Sequence, residues 1–524
     1  MKFVSIFLLM LWSFTSSFGQ IMPSGHEYAK EVTPEKLHEF LSVLASDEYE
    51  GRETGQFGQR KAAEYISKQF ESFGMPAVGE NNTYLQEIAF YNEKWVSVIL
   101  NEDGKRFKHL TDFYAFPGEN IDRPNYKTKK VYFLGYGIDD AKYSDYKGKN
   151  YKDKTILIYS GEPKNANGNF LVSGSSEASD WSNDINKKLA AAKKHGVGTV
   201  LIIDPDIKKN IANNRVKILG GRTIMGKPTS IEERVNHLYI SSTVAKEIIG
   251  SKTKKVIAAR DRINNQGKAK RVKLKSNLEI RQKIDDSNLS GSNVVGMLEG
   301  SDPSVKDEMV IVTAHYDHLG KRGESIFNGA DDNGSGSSTV LNVAKAMMEA
   351  KKQGLGPRRS VLFMLVSGEE KGLLGSQYYV NHPLFPLENA VANVNVDMVG
   401  RVDEKYADNP EYIYVIGSDR LSTDLHDINE KMNTDFTNLT LDYTYNEESD
   451  PNRYYYRSDH YNFAKNNIPA IFFFNGTHKD YHRPSDTIEK INFSKMAKIG
   501  QLVYHTVYEL ANRKERIQVN VFDE

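Results

Sequence analysis

The chain has 524 residues, more than one hydrophobic core usually supports, so at least two domains are expected. Lys plus Arg and Asp plus Glu each number 69, and a formal net charge of zero argues against a broad nucleic-acid-binding surface. There is no cysteine, which excludes disulfides, thiolate metal ligands and cysteine nucleophiles.

Lys2 supplies one positive charge, Val4 to Trp12 is a short apolar run, and Ser13 to Gly19 is small and polar apart from Phe14 and Phe18. The run is too short to span a bilayer, so residues 1–19 are expected to be a cleaved export signal. Export without disulfides suits a bacterial periplasm or exterior. No later segment is long and apolar enough for stable membrane insertion. Residues 28–80 read as helical, with a helix over Ala29 to Leu44, Pro34 near its start, and a second over Gln59 to Phe73 capped by Gly74. Residues 83–113 alternate as strands do.

The character changes over 115–285. Val131 to Ile138, Thr155 to Tyr159 and Val200 to Ile203 read as strands, and Ile185 to His195 as a helix closed by Gly196. This is expected to be an inserted, strand-rich domain, between a first part of the main domain (20–114) and its larger part (286–524). The lysines between Lys268 and Lys283 alternate with Val272, Leu274 and Leu278, as on a solvated strand edge.

From Asn293 the order is strand, loop, helix, strand. Met309 to Ala314 is apolar and ends in His315-Tyr316-Asp317-His318. A polar loop leads to Gly329-Ala330-Asp331-Asp332-Asn333-Gly334-Ser335-Gly336 and a helical stretch, Thr339 to Glu349. Val361 to Val366 ends in Ser367-Gly368-Glu369-Glu370, and Ala392 to Val396 ends in Asp397. Strands over Tyr412 to Ile416 and Ala470 to Phe474 and a helix over Ser494 to Asn512 complete an α/β fold: a mixed open sheet flanked by helices. The aromatic loop Tyr443 to Tyr456 is suited to wall a pocket.

Parallel strands bring their C-terminal ends to one edge, where open α/β sheets place their chemistry. His315, Asp332, Glu369, Glu370 and Asp397 would meet there. Oxygen and nitrogen donors without thiolates suit zinc or a similar divalent ion. Two adjacent metals need a bridging carboxylate and terminal ligands on each side, and one carboxylate left unbound to take a proton from water. Glu369 and Glu370 can divide those roles. Asp317, two residues after His315, is spaced to accept from the far ring nitrogen and fix its tautomer.

These segments, with Asn395-Val396-Asp397-Met398 and Tyr481-His482-Arg483-Pro484-Ser485-Asp486-Thr487, resemble the M28 family of zinc aminopeptidases, the co-catalytic two-metal type. The resemblance is strong over about 290–510 and extends to Leu44 to Gly74; the insert resembles a protease-associated domain. It implies the zinc-dependent exopeptidase fold and two Zn2+ per subunit. His315 and Asp397 would hold one, Glu370 and His482 the other, and Asp332 would bridge them, with Asp331 the easy misassignment. Glu369 would be the general base. Tyr456 would stabilise the oxyanion or line the pocket, and Asp459 and His460, in the Arg-Ser-Asp-His run, would orient the site. In many members the peptide bond at the bridging aspartate is cis. The implied substrates are peptides with a free N-terminus, with no nucleic-acid partner and the oligomeric state left open. A dipeptidase, carboxypeptidase or dipeptidyl peptidase, and a non-catalytic peptide-binding protein on the same fold, stand as alternatives.

Overall fold

The structure is a computed structural model that describes residues 24–226, 234–285 and 287–521. The expected export signal lies outside the described residues. Among them, no helix is long and apolar enough to cross a membrane.

One half is built on strands in the order Thr440–Asp442, Tyr412–Ile416, Ala470–Phe474, Ala390–Val396, Met309–His315, Ser360–Val366 and Asn288–Leu298. Met309–His315 runs parallel to both Ser360–Val366 and Ala390–Val396, which in turn runs parallel to Ala470–Phe474. Asn288–Leu298 pairs antiparallel with Ser360–Val366, and Tyr412–Ile416 antiparallel with Ala470–Phe474, so the sheet is mixed. The central strands are buried along their length because both faces are covered, and the polar side chains among them, Thr313, Asn393 and Asn395, bond one another. Val310, Val312, Phe363, Leu365, Val394 and Val396 pack against helices that include Pro34–Leu44, Phe57–Phe73, Gly336–Lys352 and Phe493–Asn512. The alternate residues Ile311, Leu362, Met364 and Val366 pack with Tyr379, Val380 and Phe463 on the opposite face. The expected first helix is broken: a short 3-10 segment, Gly25–Glu31, precedes Pro34–Leu44. Thr33 accepts from the Lys36 amide and Pro34 stands at the first turn.

Leu85–Glu102 is the long strand that joins the two halves. Residues 85–91 pair with Asn288–Leu298, and residues 94–102 pair with Val272–Asp285. Beyond it the order is Arg123–Phe133, Thr155–Tyr159, Thr199–Ile203, Asn236–Ile240. This half has its own buried clusters. Val131, Leu157, Leu201 and Leu238 lie on one face with Val244 and Ile248, while Ile156, Ile158, Val200 and Ile202 lie on the other with Ala191 and Ala192. Leu100, Phe107 and Phe113 belong to these clusters, so the second core starts before residue 115. The expectation of a lysine-rich strand edge is corrected: Val272–Asp285 is interior, paired to both Leu85–Glu102 and Arg123–Phe133. Its burial alternates, and Lys273, Lys275, Arg281 and Lys283 fall at positions away from the core.

Candidate metal centre

Four parallel strands end at one edge, and each delivers a polar group there. Met309–His315 ends on His315 itself; Ser360–Val366 is followed by Glu369 and Glu370; Ala390–Val396 by Asp397; Ala470–Phe474 by the segment that carries His482. Asp332 comes from the loop that opens the helix Gly336–Lys352, and the Asp332–Asn333 peptide is cis.

Two clusters share Asp332 and can each hold a metal ion: His315, Asp332 and Asp397, and His318, Asp332 and Glu370. In the first, His315 Nε2 lies 3.3 Å from Asp332 Oδ1 and 3.3 Å from Asp397 Oδ1. In the second, His318 Nδ1 lies 2.8 Å from Glu370 Oε1 and 3.7 Å from Asp332 Oδ2. His482 reaches the same two carboxylates from the solvent side, with Nε2 3.0 Å from Asp332 Oδ2 and 3.4 Å from Glu370 Oε2. The His318 ring is fully buried, whereas the His482 side chain is 37% exposed. Glu369 Oε2 stands 3.9 Å from His315 Nε2, beside the first cluster and a member of neither.

The donor set fits a divalent cation. Asp332 Oδ2, Glu370 Oε1, Asp397 Oδ1 and both ring nitrogens of His318 are buried without a well-aligned hydrogen bond, although His318 Nδ1 and Glu370 Oε1, and His482 Nε2 and Asp332 Oδ2, stand within contact distance. Buried lone pairs left without protein donors are costly unless a cation takes them up. Protons meet part of the need in the bare chain. Burial opposes ionisation of Asp332, but the imidazoles of His318, His315 and His482 outweigh it and hold the carboxyl well below its usual range. His482 is pushed up to about 10, since Asp332 and Glu370 favour its cation more than burial disfavours it. Glu369 moves the other way. Burial, then the nearby carboxylates of Glu370, Asp397 and Asp459, keep it well above the usual range despite His315.

Surrounding groups fix these side chains. His315 Nδ1 meets the backbone carbonyl of Asp317 at 3.0 Å, while the Asp317 carboxylate is 3.8 Å away. The tautomer is therefore set by the carbonyl, a correction to the expected carboxylate contact. The Asp317 carboxylate instead accepts from Thr54 Oγ1 at 2.7 Å and the Glu369 amide at 3.2 Å. Ser458 Oγ donates to Asp397 Oδ2 at 2.6 Å and receives from Asn395 Nδ2. Asp486, buried, accepts from the amides of Asp331 and Asp332 and so holds the loop that presents Asp332. Asp331 turns away, toward the Gly400 amide, Asn475 and His478. Asp459 is buried against Ser376, its carboxyl raised to about 7 by burial, and His460 stacks on Phe472.

Tyr456 is not at the site. Its ring is 40% exposed, packed on Tyr455 and Tyr461 under Arg453. In the short turn Tyr454–Tyr456 only Tyr454 is buried, and it is Tyr454, with Phe472, Phe474 and Tyr481, that lines the pocket beside the clusters. Sequence reasoning gave no role to His318, Ser458 or Arg52. His318 stood in the quoted His-Tyr-Asp-His run. Arg52 carries no motif signal, yet its buried guanidinium donates to the carbonyls of Leu44, Tyr316, Asn328 and Gly329.

Residues 293–507 match the family model of Peptidase family M28. Over 216 residues the chain is 36% identical to a probable leucine aminopeptidase of Trichophyton verrucosum, covering 40% of this chain and 56% of that protein. Over 243 residues it is 29% identical to aminopeptidase YwaD of Bacillus subtilis, covering 44% and 47%. The chain thus spans about half the length of these relatives. Two solved structures align along nearly the whole chain. The aminopeptidase from Aneurinibacillus sp. strain AM-1 has a TM-score of 0.56 at 19% identity, covering 95% of this chain and 99% of that one. BSAP, a zinc aminopeptidase from Bacillus subtilis, has a TM-score of 0.50 at 20% identity, covering 93% and 98%. The chain shares its fold, both halves included, with these aminopeptidases, and its stretch 293–507 is similar in sequence to peptidase family M28.

Proposed function

We propose that this protein is an exported metallo-aminopeptidase of the M28 type, holding two zinc ions and releasing the N-terminal residue of peptides, with an insert of the protease-associated kind. The observation that carries the reading is the pair of buried ligand clusters sharing Asp332, with Glu369 beside them and outside both. His315 and Asp397 would hold one ion, and Glu370 with His482 the other. His318 also faces Glu370 and is a further candidate ligand. Bound zinc supplies a Lewis acid that polarises the peptide carbonyl and makes water acidic enough to be a nucleophile at neutral pH.

The protein's own part follows from its geometry. Asp332 spans both clusters with its two oxygens and fixes their separation. Glu369, left unligated, takes the proton of the attacking water and passes it to the leaving amine. The carboxylates around the clusters attract the substrate's free ammonium, which favours cleavage at the N-terminus. The aromatic walls exclude water from the first side chain.

The test is hydrolysis of a panel of short peptides by the zinc-loaded protein, each with a free or an acetylated N-terminus. Release of one residue from the free peptides alone is expected. Release of two residues would move the reading to a dipeptidyl peptidase, and no turnover despite two bound zincs would end it. Glu369→Gln should lower kcat by about 10²–10⁴ while zinc content stays at wild type. Export is tested by N-terminal sequencing of the mature protein, which should begin near residue 20.

A further inference from the structure

The pocket beside the metal clusters is not purely apolar. Besides His315, Asp332, Glu369 and Asp397 it is walled by Tyr454, Phe472 and Phe474, and one arginine, the exposed Arg457, lines it too. Its guanidinium lies over the Tyr454 ring, 4.8 Å from the centroid. That ring is itself fixed: Tyr454 is 8% exposed, packs on Phe474 at 4.9 Å, and its amide donates to Asp450 at 2.9 Å. The contact uses one face of the guanidinium and leaves its edge, where the N–H donors point, without a carboxylate partner among the described residues. Two other arginines of this half of the chain are paired, Arg401 with Asp480 and Arg420 with Glu448.

Resting on the aminopeptidase reading, we propose that Arg457 binds a carboxylate of the substrate and makes the enzyme selective for peptides that carry one near the scissile bond. Two sources share that chemistry: the side chain of an acidic N-terminal residue, and the C-terminus of a dipeptide. The planar fork of a guanidinium matches a carboxylate through two parallel hydrogen bonds. The rings cover the methylenes that lead to it. The carboxylates that line the same pocket, Asp332, Glu369 and Asp397, repel a substrate anion and favour one orientation, ammonium toward them and carboxylate toward Arg457.

The experiment compares kcat/KM of the zinc-loaded full chain in two arms. One sets the 4-nitroanilide of glutamate against that of glutamine. The other sets a neutral dipeptide against its C-terminal amide. A preference of about tenfold, equivalent to about 1.4 kcal/mol, is expected in one arm. The first arm would identify the side chain and the second the C-terminus. In Arg457→Gln the ratio should fall to about one, and in Arg457→Lys part of it should remain. No preference in either arm, or a preference that survives Arg457→Gln, overturns the proposal. If no substrate turns over, the aminopeptidase reading fails separately. Calorimetry with free glutamate and glutamine then decides: tighter binding of glutamate by wild type but not by Arg457→Gln supports the carboxylate site, and equal binding overturns it.

Discussion

His318 and Ser458 show how much of a metal centre lies in residues that make no motif alone. His318 offers a buried imidazole beside Glu370, with neither ring nitrogen in a well-aligned hydrogen bond. If it helps to hold the second ion, His318→Ala should lower zinc content from two toward one, as His482→Ala should; elemental analysis after gel filtration reads this directly. A wild-type zinc content in His318→Ala would reduce the residue to packing. Ser458 steadies Asp397 through a 2.6 Å hydrogen bond. Removing such a support lowers metal affinity by about 10–100-fold. Ser458→Ala should therefore lose zinc to a competing chelator at correspondingly lower chelator concentration.

At the scale of elements, the site depends on a clamp between the N-terminal helices and the two loops that carry its ligands. Arg52 sits in the kinked turn Asp47–Arg52 and donates to carbonyls on the 44, 316, 328 and 329 backbones. Burial lowers its proton affinity to about 10, against the favourable fields of Asp332 and Asp317, so it stays charged at neutral pH. Arg52→Ala would strand those carbonyls and should cost at least about 3 kcal/mol, read by urea unfolding. Gly51 has φ +65°, and a Cβ there would stand 2.2 Å from the Phe327 carbonyl. Gly51→Ala should therefore destabilise the same junction. The elements themselves were largely legible: the strands Tyr412–Ile416 and Ala470–Phe474 match the expected bounds, since each is a short apolar run between polar turns. The clamp was not, because Arg52 bonds to backbone carbonyls and leaves no pattern of side chains to read.

Across the whole molecule, one buried cation sets a pH dependence of stability. Lys495 is 4% exposed, lies 3.4 Å from the Tyr412 ring centroid, and its Nζ has no hydrogen-bond partner. Burial lowers its pKa to about 7, against the fields of Asp331 and Asp403. Between about pH 7 and the ordinary lysine value near 10.4 the unfolded chain holds this proton and the folded chain does not, so stability rises with pH across that window. Lys495→Met should remove the rise and be the more stable by about 1–3 kcal/mol below pH 7, measured by urea unfolding from pH 6 to 10. Metal acts on the same scale. Stripping zinc with a chelator should lower Tm, and refilling at about 1,000 times Kd should return about 4 kcal/mol.

The sequence by itself determined the strand ends and what stands on them: His315, the Glu369-Glu370 pair and Asp397 each follow an apolar run, so a parallel sheet had to bring them together. It also led to the expectation of more than one core and an interrupted main domain. Only the tertiary structure decided which atoms face one another. That His318 approaches Glu370 from inside while His482 approaches from solvent, that a carbonyl and not a carboxylate orients His315, and that Tyr454 lines the pocket while Tyr456 faces out are matters of backbone direction within single turns. Periodicity fixes the face of a strand but not the aim of a loop residue, because a loop's direction is set by the distant groups that hold it. The lysines of Val272–Asp285 make the same point: alternation was readable, but only pairing with two neighbours shows that the strand is interior.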